Sequence, residues 1–318
     1  MRKHILLVVG LGVGIAACFF IFVVSHQDQQ APLVETKPIT ATTDTAFKNP
    51  EPVAIEGYSG PQEDPNISPD NQRLFFDSHN DAGMPMYLYL AKRIDYKTFK
   101  FAGRVPGVNF EAVEGVEDLA HNFYLVSPLL LGQGGATTIG HGTFSDGSVT
   151  NVAPIQGLSP KPAPSGSRGI TFDLFITPDG NTLYFSDFVV KARFRPQGAQ
   201  LAIATKNADG TFMRLSNSAD ILKNVNALGS LVYNASPSAD GLELVFNASP
   251  AFPLPTHVYI ARRSSPSAPF GIPQLVAAAD IDHGQLSEPG SFSSDGKYLY
   301  FHRVLDSKSS QIYVLTHN

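Results

Sequence analysis

Six or seven residues before the aspartate of a recurring turn, this chain places an acid or an amide: Glu63 and Asp64, Asp173, Asn234 and Glu288. Carboxylates held close together repel and raise one another's pKa, so such a group favours a cation or a basic ligand group. Calcium, which takes oxygen ligands, suits a set of this kind, and no other cofactor is expected. Pairs of carboxylates also carry out glycoside hydrolysis. A plainer role competes with both, namely hydrogen bonding to backbone groups of the neighbouring repeat. The residues leave these alternatives open. They are assigned here as ligand-binding, with no catalytic residue and no defined set of metal ligands.

Other chemistry lacks its signature. No Gly-x-Ser-x-Gly nucleophile elbow occurs, and Gly132, Gly134 and Gly135 are not followed by the Lys-Ser/Thr that opens a phosphate-loop helix. The nine His show no His-x-x-x-His spacing, and His141, between Gly140 and Gly142, falls in an expected strand with a structural or surface role. A single Cys forms neither an internal disulfide nor a zinc cluster. The absence of Trp removes the commonest stacking platform for sugars, leaving Tyr and Phe to substitute. A net charge of −5 offers no basic field for a phosphate backbone, so nucleic acid is excluded as a partner.

The elements that must position the acids form a repeat. Ile67-Ser68-Pro69-Asp70 leads into Leu74-Phe75-Phe76, and Ile176-Thr177-Pro178-Asp179 into Leu183-Tyr184-Phe185. Pro237-Ser238-Ala239-Asp240 leads into Leu244-Val245-Phe246, and Phe292-Ser293-Ser294-Asp295 into Leu299-Tyr300-Phe301. A weaker copy spans Val116 to Val126, with Leu119 at the aspartate position. In each unit a short strand ends at a turn where Pro sets φ, Asp bonds its own backbone and Gly takes the left-handed conformation. Two further strands complete most units, as at Met86 to Ala91 with Phe99 to Val105. The composition, with 27 Gly and 24 Pro in 318 residues, fits many short strands and turns.

The Ile-Ser-Pro-Asp-x-x-x-Leu-x-Phe core resembles the WD-like propeller repeat of the TolB type, found in exported bacterial proteins. That resemblance covers roughly Pro52 to Thr316 and implies an all-β fold, a five-bladed β-propeller, with the acids around one mouth of its central channel. It is specific for fold and weak for function. TolB itself is similar only in the repeats, since it has an additional amino-terminal α/β domain. The last unit ends at Leu315 without an outer strand. Pro52-Val53-Ala54-Ile55-Glu56 resembles the outer strands elsewhere, so it is expected to complete that blade and close the ring. One helix is expected, around Ser218 to Asn226, and the stretches Ser127 to Gly135 and Ser159 to Gly169 read as loops.

Ahead of the repeats, Ile5 to Val24 is a run of 20 uncharged residues preceded by Arg2 and Lys3. As a helix it spans about 30 Å, the thickness of the bilayer's hydrocarbon. Three fates compete: an uncleaved anchor, which is favoured, cleavage near Ser25, and lipidation of Cys18 after the Ile15-Ala16-Ala17 lipobox-like run. The expected domains are therefore 1–25 as anchor or signal sequence, 26–49 as a disordered linker, and 50–318 as the propeller. The positive-inside rule places the propeller outside the cytoplasm, periplasmic and tethered to the inner membrane through residues 5–24, with a secreted form as the alternative. The expected function is a binding scaffold in the cell envelope for a protein or small ligand. The alternative is a glycosidase-like hydrolase with its carboxylates in the channel.

Overall fold

The computed structural model describes residues 42–79, 85–133, 137–191, 196–251, 256–280, 286–306 and 309–317. The anchor, signal and lipidation readings of residues 1–25, and most of the linker, lie outside them. The chain is an all-β protein with the β-propeller fold. Two strands, β1 (Phe47–Pro52) and β2 (Ala54–Glu56), precede the repeats. Then come β3 (Glu63–Ile67), β4 (Arg73–His79), β5 (Met86–Arg93) and β6 (Thr98–Arg104), which pair in sequence as an antiparallel sheet. The same order recurs in β7 (Val113–Glu117), β8 (Asn122–Val126), β9 (Ile139–Ser145) and β10 (Ser148–Pro154). It recurs again in β11 (Arg168–Ile176), β12 (Thr182–Val190), β13 (Pro196–Lys206) and β14 (Phe212–Arg214). A single parallel pairing, Ala199 with Leu231, joins that group to β15 (Leu231–Pro237), β16 (Glu243–Ser249), β17 (His257–Arg262) and β18 (Gln274–Leu275). The last group is β19 (Ser287–Phe292), β20 (Tyr298–Asp306) and β21 (Ser309–His317).

The core lies between neighbouring sheets. Phe75 and Leu88 of one sheet pack with Phe123 and Phe144 of the next. Tyr300, Ile312 and Val314 of the last sheet pack back onto Leu74, Phe76 and Phe99 of the first strand group. The Leu-x-Phe signature of each second strand therefore supplies side chains to both of its neighbours, because successive residues of a strand face opposite ways. The inner strands β3, β7, β11, β15 and β19 contact one another in cyclic order around an axis.

The turns follow local chemistry. Asp295 Oδ1 accepts from Ser293 Oγ at 2.7 Å and from Lys297 N at 3.2 Å, while Tyr298 N donates to Ser293 Oγ at 3.0 Å. Those hydrogen bonds, Ser293 foremost, hold the Asp295 carboxyl down at about 2. Gly180, Gly241 and Gly296 occupy the left-handed position at φ 69–71°, and Asn71 does the same at φ 57°. The weak copy differs from expectation. Leu119 is exposed at the second position of the turn and caps nothing; Asp118 does the capping, accepting from Ala120 N at 2.9 Å and Asn122 N at 2.8 Å. Asp118 N bonds Asn122 O, four residues on, whereas Ser68 N bonds Arg73 O, five residues on. This turn is one residue shorter, and its aspartate stands where the others have Ser or Thr.

The amino-terminal segment also corrects the sequence reading. The strand that pairs antiparallel with β21 is β1, not residues 52–56; Phe47 lies opposite His317 and Pro52 opposite Tyr313. After Pro52 the chain crosses over, and Ala54 to Glu56 run parallel to β6 in the first sheet. Before β1, Thr43 makes a parallel bridge to Leu275 beside β17, and Asp44 N donates to Leu275 O at 2.8 Å. The buried Asp44 carboxylate receives Arg262 Nη1 at 2.5 Å. Residues 42–56 thus touch three sheets. Two smaller corrections concern the connections. The expected helix is two short turns, Ser218–Ile221 and Lys223–Asn226, and Pro128–Gln133 of an expected loop is a 3₁₀ helix.

Candidate functional site: an acidic cavity on the propeller axis

Every inner strand breaks register partway along, between Glu63 and Asn66, Val113 and Val116, Phe172 and Leu174, Tyr233 and Ser236, and Pro289 and Phe292. Bulges of this kind re-aim a side chain and free a backbone group. At four of them one residue sits at positive φ: Asp64 at 44°, Glu114 at 56°, Asp173 at 46° and Asn234 at 53°. None is glycine, so each holds a strained conformation that the surrounding packing must enforce. The fifth bulge carries Gly290, where a Cβ would stand 2.0 Å from Pro65 O. Glycine there lets the last inner strand close onto the first.

All five residues singled out from the sequence line one cavity, together with Glu114, Tyr233 and His302. Its volume is ≈ 50 Å³, roughly a third of the about 150 Å³ that holds a benzene ring. Above the acids its wall is apolar and includes Ile170, Phe172, Phe188 and Leu286. No Lys or Arg lines it among the described residues.

Much of this acidity holds neighbouring sheets together. Asp77 accepts Glu114 N at 2.9 and 3.1 Å, and Glu114 Oε2 accepts Leu174 N at 2.8 Å. Asp173 Oδ2 and Ser186 Oγ accept Asn234 N at 3.1 and 3.3 Å. Asn247 Nδ2 donates to Ser287 O at 2.7 Å, and His302 Nδ1 accepts Asp64 N at 3.1 Å. One polar side chain thus spans each junction between inner strands. The packing role considered for these residues is present in Asp173, and Asp64 contributes its backbone N–H to the same ring of bonds. Glu63 and Glu288 are held by side chains instead: Ser310 Oγ donates to Glu63 at 2.9 Å, and Tyr233 OH to Glu288 at 2.8 Å.

Sequence reasoning missed Asp77, Glu114, Asn247 and His302. Glu114 is hidden by the shortened turn, since counting back six residues from Leu119 reaches Val113. For the others a signal exists: Asp77, Ser186, Asn247 and His302 each follow immediately on Leu-x-Phe.

The electrostatics are those of acids removed from water without counter-ions. Burial, then the charges of Glu63 and Asp173, push Asp64 up to about 8. Burial likewise raises Asp77 and Glu114 well above the carboxylate range, with like charges adding to it. Glu288 is raised by burial and by Asp64, and Asp173 by burial. Asp64 and Asp77 contact each other through their side chains, as do Glu114 and Asp173. Two carboxyl groups in contact with no cation between them share a proton, because both cannot ionise there. Glu63 is the exception. Burial acts to raise it, but His79, His302 and Ser310 outweigh that effect and lower it. Burial lowers His302 to about 4, so its ring is neutral at pH 7.

No family model matches the sequence, and no curated protein matches it. Among solved structures, the catalytic domain of the Coprinopsis cinerea GH62 α-L-arabinofuranosidase is similar over 89% of this chain and 98% of its own, at 11% identity and a TM-score of 0.50. Zg3597, a family 117 glycoside hydrolase of Zobellia galactanivorans, is similar over 88% of this chain and 91% of its own, at 11% identity and a TM-score of 0.50. TolB from Acinetobacter baumannii is similar over 81% of this chain, at 15% identity and a TM-score of 0.39, and this chain spans 55% of its length. The two glycoside hydrolase likenesses show the β-propeller fold and do not single out the TolB type within it.

Proposed function

We propose that this chain is an extracytoplasmic binding scaffold, a five-bladed propeller closed by its amino-terminal strand and tethered to the membrane by residues 5–24. Its ligand site is the axial cavity at Glu63, Asp64, Asp173, Asn234 and Glu288, and the ligand presents a positive charge there. One observation carries the reading: buried carboxyl groups converge on a cavity whose described lining holds no Lys or Arg. Protons neutralise that charge in the free protein, and a cation replaces them in the complex. Calcium is one such cation; a basic group of a small molecule or of an envelope protein is another.

Glycoside hydrolysis is the second reading, favoured by the fold shared with glycosidases and by carboxyls that stay protonated at neutral pH. Two features set it behind binding. A sugar ring, no smaller than benzene, exceeds the cavity as it stands. Of the cavity acids, Glu114 and Asp173 are committed to backbone N–H groups of the next sheet.

The test is thermal unfolding of the full chain in detergent at pH 8, with calcium, alkylammonium salts or chelator, alongside hydrolysis assays on aryl glycosides. Binding to the folded form alone at a hundredfold excess over Kd adds about 2.7 kcal/mol, or about 5–10 °C for a domain of this size. At least one cation should give that shift, and Asp173→Asn with Glu288→Gln should abolish it. If no cation shifts the melting point while an aryl glycoside is cleaved by the wild type and not by Glu288→Gln, the protein is a hydrolase.

A further inference from the structure

We infer that the ligand of the axial cavity is a small organic ammonium ion bearing a hydroxyl two carbons from its nitrogen, an amino alcohol of the ethanolamine type. The inference rests on the binding reading above and narrows it from any cation to one class.

Three observations point the same way. The first is the apolar wall. Phe172 and Phe188 meet edge to face at 6.1 Å, and Phe188 and Tyr233 lie 5.9 Å apart, all three lining the cavity beside the acids. Aromatic rings next to carboxylates suit an alkylated ammonium, which binds ring faces and leaves its hydrocarbon in an apolar wall. A metal ion gains nothing from that wall.

The second observation is His302, buried at 2% exposure. Its Nδ1 accepts the Asp64 N–H, so the proton of the neutral ring is on Nε2. His302 lines the cavity, its Nε2 stands 3.6 Å from Glu288 Oε2, beyond hydrogen-bond distance, and it has no other partner among the described residues. This N–H is a buried donor aimed into the cavity, and an acceptor oxygen on the ligand satisfies it. The same tautomer argues against a metal. Asp64, Glu288 and His302 bring ligand atoms within 4.8 Å of one another. Yet Nδ1 has spent its lone pair on a backbone N–H and Nε2 carries a proton, so the imidazole has none to give. Calcium would need six to eight oxygens, and several here already serve backbone groups.

The third is size. A volume of ≈ 50 Å³ admits an ammonium with two or three carbons and one hydroxyl, so ethanolamine fits and choline, with five carbons, is too large. A phosphorylated amino alcohol is excluded on charge, because its phosphate would enter among five carboxyl groups.

The experiment is isothermal titration calorimetry of the full chain in detergent at pH 8, with ethanolamine, choline, calcium and phosphocholine as titrants, repeated in buffers of different ionisation heat. Ethanolamine should bind at least about tenfold more tightly than calcium, choline or phosphocholine, with protons released to the buffer as the carboxyls ionise. Phe188→Leu keeps the apolar volume and removes the ring face; it should weaken ethanolamine about fivefold while leaving the melting point within a few degrees. Calcium or choline binding tighter than ethanolamine would overturn this inference and leave the binding reading standing. No heat and no proton release with any titrant would overturn both.

Discussion

Raising the pH from 6.5 to 8 destabilises the folded chain, and Asp64→Asn flattens that loss. Asp64, Asp77, Glu114 and Glu288 all have folded pKa values raised above their unfolded ones. The folded state therefore holds protons that the unfolded chain has already released. Stability from such groups is fully present below the unfolded pKa, near 4, and disappears as the pH climbs through the folded pKa. Each retained proton contributes a slope of about 1.4 kcal/mol per pH unit, or about 2 kcal/mol across this window. His302 works in the opposite direction, since its lowered pKa makes folding less favourable as the pH falls below about 6.5. Across this window the unfolded histidine sheds its remaining half proton, which adds only about 0.4 kcal/mol of stability and offsets little of the loss from the carboxyls. Chemical denaturation at pH 6.5, 7.25 and 8.0 gives the slope directly. A wild-type chain equally stable at the three values, or an Asp64→Asn chain as steep as the wild type, would show that these acids are not protonated in the fold.

Removal of the amino-terminal strap has the other large effect. A chain beginning at Thr42 should melt with the full chain, since only residues ahead of the first described contact are lost. A chain beginning at Ala54 loses β1, the buried Phe47 ring stacked on His317 at 4.6 Å, and the Asp44–Arg262 pair. It also leaves β21 as an open edge, which invites aggregation. Burial of one aromatic side chain and six strand residues is worth several kcal/mol, so the melting temperature should fall by about 10 °C or more. Asp44→Asn alone should cost only a few degrees, because Arg262 keeps Glu243 Oε1 at 2.6 Å and is itself over one-third exposed. Equal melting of the chains starting at Thr42 and Ala54 would mean that the strap is an ornament of the fold.

The features legible in the sequence are those made by residues close together in it. The Ser/Thr-Pro-Asp turn is complete within five residues, so its aspartates declare themselves and do cap their own backbones. The acids at the inner strands are legible too, because the turn fixes their offset and the strand carries them to the axis. Where the offset changes, legibility ends. One deleted residue in the turn at Asp118 hides Glu114, which the fold places level with Asp64 and Asp173. The bonds that occupy these acids are a different matter, since they run between units: Asp64 N meets His302 across 238 residues of chain, and Leu174 N meets Glu114 across 60. Nothing local marks such a partner, although its place after Leu-x-Phe repeats often enough to be found once the contact is known. The strap is hidden for a third reason. Phe47 is a lone large apolar residue among polar ones, so composition reads linker, and the free edge of β21 is what makes the segment a strand.

A cavity that exchanges protons for a cation has axial carboxyls that are neutral in the free protein and ionised in the complex. Carbon-13 NMR of the side-chain carboxyls of the full chain, labelled at Asp and Glu, reads that state group by group. At pH 6.5, where ordinary carboxylates have pKa values near 4 and are fully ionised, at least two protonated carboxyl signals are expected. Asp64→Asn should remove one of them, and saturating ethanolamine should shift the rest to the ionised position. A spectrum in which every Asp and Glu of the free chain is already ionised at pH 6.5 would contradict a site that holds protons until a cation replaces them.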